Sequence, residues 1–154
     1  MNNTSKNSKV IRAAKEEVYN AFVSKDALEH WLAPTNMTGR IHSFDLKVGG
    51  GYDMSLFYLD NNIEGKTSGN EDRFSVRFIE LSPYEKIIQA INFQSNKNDF
   101  SGEMTMEVSL EENKDTTTTI TIIFNNIPAG IDPKDNEEGT AQSLEKLARY
   151  IERD

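Results

Sequence analysis

The chain of 154 residues has the length of one domain, and its 25 Asp and Glu outnumber its 17 Lys and Arg to give a formal net charge of -8. Such a surface repels phosphate backbones and anionic headgroups, so nucleic acid is excluded as a partner. With no cysteine there is no disulfide frame, no thiolate metal site and no cysteine nucleophile.

Residues 1–7 are polar and are read as a frayed tail, with 8–154 as a single domain. No apolar run reaches the length that spans a bilayer, and the N-terminus has no apolar leader, so the expected protein is soluble and cytoplasmic, without membrane insertion. Residues 10–12 predict a short first strand. Residues 13–22 predict a helix, with Ala14, Val18, Ala21 and Phe22 at helical spacing and Glu16 and Glu17 at its positive end. A second short helix over 24–32 carries Leu28 and Trp31 on one side and is stopped by Pro34.

Strands are predicted over 40–46, 52–59, 73–81, 86–93, 103–111 and 116–124, each bounded by Gly, Pro, Asn or Asp. Alternation is clearest in Met104, Met106, Val108 and Leu110 and in Ile120, Ile122 and Phe124. The inward face of 86–93 cannot be assigned from parity. Short polar turns between strands imply an antiparallel meander, because parallel strands need long crossovers. After a loop over 125–135, Leu144, Leu147, Ala148 and Ile151 form one stripe on a terminal helix. A sheet with one apolar face and a helix with one apolar stripe satisfy each other, which predicts an α+β fold.

Several motifs in order carry a family resemblance: Val18-Tyr19, Trp31-Leu32-Ala33-Pro34, Asp45 through Tyr52 with its three glycines, and Gly139 through Leu147. Together they resemble the activator of heat-shock protein 90 ATPase-like family, within the START/SRPBCC superfamily that includes the major birch pollen allergen and polyketide cyclases. The resemblance runs from about Val10 to Ile151. It implies a helix-grip fold: a curved antiparallel sheet of about seven strands around a long C-terminal helix, two short helices after the first strand, and a cavity that often holds apolar ligands. Two positions depart from the family pattern. Ala13-Ala14-Lys15 stands where a Ser or Thr cap followed by Pro is usual, and Thr140 stands where an aromatic residue is common. The co-chaperone that names the family has a further, larger N-terminal domain for which this chain has no room.

The candidate pocket wall is Trp31, Tyr52, Met54, Leu56, Phe74, Phe78, Met104 and Met106, with Leu144 and Leu147 from the helix. A filled core of the same residues is the competing reading. His42 and Asp45 are the weak candidates for proton transfer. Neither His30 nor His42 has metal-ligand partners within its own element, and no cofactor or metal is expected. Gly49-Gly50-Gly51 precedes a strand rather than a helix, so it is read as a turn and not a phosphate loop. Asp60 to Gly65 with Glu71 approaches a calcium-loop spacing, but strands flank it where helices are required. The expected function is binding of a small hydrophobic or amphipathic ligand. A cyclase- or hydrolase-type enzyme comes second and a chaperone cofactor or stress-linked module third, with a homodimer as a further partner expectation.

Overall fold

The computed structural model of the protein describes residues 3–60, 70–94 and 100–152. Its elements run β1 (Ser5–Ile11), α1 (Lys15–Phe22), α2 (Lys25–Trp31), β2 (Met37–Asp45), β3 (Gly51–Tyr58), β4 (Glu71–Ser82), β5 (Lys86–Phe93), β6 (Met104–Glu112), β7 (Thr118–Asn125) and α3 (Pro133–Glu152). The strands form one curved antiparallel sheet in the order β1-β7-β6-β5-β4-β3-β2, a meander closed by β1 on the outer edge of β7. The register shifts once between Ile41 and Ser43 and once between Phe78 and Glu80. An extra residue on one strand bends it and adds twist, which helps wrap the sheet around α3. The fold is the expected helix-grip α+β architecture. Among the described residues, no helix is long and apolar enough to cross a membrane.

Residues 5–7 correct the expectation of a frayed tail up to residue 7, because β1 begins at Ser5, paired with Phe124. The strand was hidden because its inward side is polar and binds the flank of α3. Asn7 Nδ2 donates to the Glu137 carbonyl at 3.0 Å, and the Lys9 ammonium meets Glu145 at 2.7 Å. The missing cap of α1 is supplied from a distance. Ala14 makes no side-chain cap bond, and the Lys15 amide instead donates to Glu112 Oε1 at 3.3 Å, satisfying one of the orphan donors of the first turn. Helix α2 uses a local cap, Ser24 Oγ accepting from the Ala27 amide at 3.3 Å.

The glycine run is a strand connection. Gly49 has φ +88°, a conformation that favours glycine, and its amide donates to the Phe78 carbonyl at 2.9 Å. A Cβ on Gly51 would stand 1.7 Å from the Val76 carbonyl oxygen, so β3 and β4 meet there backbone to backbone. Residues 61–65 of the acidic segment lie outside the described residues, and Glu71 is the first residue of β4.

Candidate functional site

The meander brings the ends of β3, β5 and β7 and the starts of β1, β2, β4 and β6 to one end of the sheet. The N-terminal end of α3 sits at that same end, tied to β1 by Asn136 Nδ2 on Ser5 Oγ at 2.9 Å. Pro133 opens the helix, and Asp132 Oδ1 accepts from the Lys134 amide at 2.9 Å. Between the inner sheet face and this half of α3 lies a cavity of about 460 Å³, within the range of small-molecule sites.

Its wall is mostly aromatic and aliphatic. Tyr52 and Leu56 come from β3, Phe74 from β4, Met104 and Met106 from β6, and Trp31 from α2. Trp31 is fixed by its indole N–H, which donates to the Ala21 carbonyl at 2.9 Å, and by an edge contact with Phe22 at 4.8 Å between ring centroids. The helix contributes little bulk. Gly139, Thr140 and Ser143 border the space beside Leu144, and Ser143 Oγ donates to the Leu32 carbonyl at 2.6 Å, holding α3 to the end of α2. Thr140 is a small side chain on this wall and leaves volume open beside it.

Two polar pairs interrupt the apolar wall. Deep inside, the buried Gln89 lines the cavity with Tyr52, and burial pushes the Tyr52 phenol well above its ordinary range, so it stays protonated. On β4, Asp72 is only 2% exposed, lines the cavity and accepts from the Tyr58 hydroxyl at 3.0 Å. Asp132 and Asp135, both exposed, border the cavity at the α3 end. Among the described residues, no group of three or more His, Cys, Asp or Glu is gathered to hold a metal ion.

The sequence candidates separate into two sets. Trp31, Tyr52, Leu56, Phe74, Met104, Met106 and Leu144 line the cavity. Met54, Phe78 and Leu147 do not: each is fully buried in the packed part of the core, where parity was right and position along the strand or helix was not. Neither proton-transfer candidate reaches the cavity. His42 is exposed at the β2 bulge, with Nε2 2.8 Å from Ser55 Oγ on the outer sheet face, and Ser55 in turn donates to Glu71. Asp45 is exposed beside Lys47, with 3.7 Å between charges. An enzyme reading built on these two residues therefore loses its geometry.

The parity of β5 is now assigned: Gln89, Ile91 and Phe93 face the cavity, while Ile88 faces outward. Sequence reasoning missed Asp72 because the strand was begun at residue 73. The alternation of Phe74, Val76 and Phe78 extrapolates back to Asp72, and that signal could have found it.

A family model described as activator of Hsp90 ATPase homolog 1-like protein matches residues 12–152. The chain belongs to this family. The protein CV1439 from Chromobacterium violaceum is 30% identical, with each chain covered over its whole length and a TM-score of 0.88. A protein from Arthrobacter aurescens is 16% identical, with 99% of this chain and 87% of the other covered and a TM-score of 0.81. One from Staphylococcus epidermidis, also 16% identical, covers 99% and 92% with a TM-score of 0.76. The latter two likenesses speak to the fold alone. No protein of curated function matches the chain.

Proposed function

We propose that the protein binds a small apolar or amphipathic molecule in the cavity between the sheet and the N-terminal half of α3. The observation that carries this reading is an unfilled volume of about 460 Å³ inside an otherwise packed core. A largely apolar wall facing water is unfavourable, and an apolar occupant that displaces that water is favoured. This wall suits an adaptable guest, since Met104 and Met106 reshape readily and the aromatic rings offer large apolar faces.

Carriage is favoured over catalysis because, among the described residues, the wall holds no nucleophile beside a base, and His42 and Asp45 stand away from it. Trp31 is the only tryptophan in the chain and borders the cavity, so its emission reports occupancy. Titration with a panel of fatty acids, sterols and polyphenols is expected to give a saturable change with at least one member. Flat titrations across the panel contradict the reading.

A further inference from the structure

We propose that the cavity takes an apolar molecule bearing one neutral hydrogen-bonding group, a hydroxyl or a ketone oxygen, and takes it oxygen first, with that group set against Gln89 and Tyr52. This rests on the cavity being a binding site. Gln89 on β5 and Tyr52 on β3 both line the space and are 2% and 5% exposed, so neither presents its polar end to bulk solvent. They stand well inside. At roughly 3.3 Å per residue, Tyr52 lies about 20 Å of strand from Tyr58 at the end of β3, and Gln89 about 13 Å from Phe93 at the end of β5. Their neighbours across the sheet are apolar, Met106 opposite Gln89 and Val76 opposite Tyr52, and both of these line the cavity too.

A primary amide has two N–H donors and a carbonyl oxygen that accepts twice, and a phenol adds one donor and an acceptor. One phenol and one amide cannot use up each other's capacity, even when they bond together. Donors and acceptors therefore remain for a guest at this end of the cavity. Water can fill that role, but a guest that displaces the water has to reproduce its hydrogen bonds or lose affinity. A wholly apolar guest does not reproduce them. A carboxylate or ammonium fails for another reason, since it would be stripped of water beside two neutral side chains, burial holding the Tyr52 phenol protonated. A hydroxyl both donates and accepts, and a ketone accepts from the amide N–H or the phenol, so each meets this pair without bringing a charge inside.

The test is isothermal titration of the purified protein with 4-propylphenol, propylbenzene and 4-propylbenzoate, which share one apolar body, at neutral pH and fixed salt. The phenol is expected to bind about tenfold or more tighter than either of the others, because a site that hydrogen-bonds a hydroxyl discriminates against the analogue lacking it. Gln89→Met, similar in length and apolar, should weaken the phenol by about fivefold or more and leave propylbenzene unchanged or tighter. Tyr52→Phe, which keeps the ring, should shrink the phenol-to-propylbenzene ratio by about threefold or more and keeps the test usable if Gln89→Met folds poorly. In the unsubstituted protein, the Gln89 side-chain amide signals should shift with 4-propylphenol in an NMR titration. Propylbenzene or 4-propylbenzoate binding as tightly as the phenol overturns the proposal and leaves the cavity reading standing. So does a phenol preference that survives both substitutions, or bound phenol that leaves the Gln89 amide signals unmoved, since the oxygen then sits elsewhere. No binding of any of the three overturns the proposal and the cavity reading together.

Discussion

The two halves of α3 face the same sheet with opposite results. Toward its C-terminus the helix presents Leu147 and Ala148, both buried, and the space beneath is filled. Toward its N-terminus it presents Gly139, Thr140 and Ser143, and the space beneath is hollow. Side-chain volume along one helix is what separates them. The packed half is also fastened by charge, Lys9 on Glu145 and Arg12 on Glu152, while the hollow half is held by neutral bonds from Asn7 and Asn136 to their partners. A packed end that carries stability and an open end that we propose carries binding can change separately.

That contrast can be broken by substitution, and the largest effect belongs to the packed half. Leu147→Ala should cost about 3 kcal/mol of unfolding free energy through lost transfer and a new cavity, read by urea denaturation. Trp31→Phe sits at the boundary and leaves the Ala21 carbonyl without its indole donor, so a loss of about 1–2 kcal/mol is expected in the same assay. Gly139→Ala belongs to the hollow half. Its Cβ would meet only Pro34 Cγ at 3.7 Å, and a helical Gly replaced by Ala should raise stability by about 0.5–1 kcal/mol. Thr140→Trp should leave stability within about 1 kcal/mol yet lower ligand affinity at least about tenfold, since it consumes the space the guest needs.

The smallest stability effect is electrostatic and sharpens the packed side. The Glu145 carboxyl is held below its ordinary range first by the hydrogen bond from Lys9, and Glu152 first by the Arg12 amide. A depressed folded-state pKa gives stability that is present above the unfolded carboxylate value and lost as pH falls through the folded one. Urea midpoints should therefore hold near neutrality and decline below about pH 4. In Glu145→Gln the acid-dependent part of that decline should be smaller.

Much of the architecture was legible because alternation and helical spacing are local signals. Met104 to Leu110 and Ile120 to Phe124 show their buried face in the sequence, and so does the Leu144, Leu147, Ala148 stripe. What failed depended on partners far along the chain. Strand β1 looks like a polar tail because Ser5, Asn7 and Lys9 point at polar groups of α3 rather than at apolar ones. Gln89 is a polar residue that faces inward on the cavity wall, so parity on β5 read as ambiguous. Period 2 says which face a residue takes but not how deep along the strand a void lies, which is why Met54 and Phe78 were grouped with residues that line the cavity. The family resemblance implied the cavity, and the small side chains of Gly139 and Thr140 explain where it opens.

The most direct test of the central claim, that the N-terminal half of α3 covers a ligand cavity and the C-terminal half does not, is an amide NMR titration with decanol. Saturable shifts at Gly139, Thr140, Met104 and Phe124, with Leu147 and Val108 unmoved, are the predicted result. Shifts confined to the outer sheet face around His42 and Ser55, or none at saturating decanol, would contradict it.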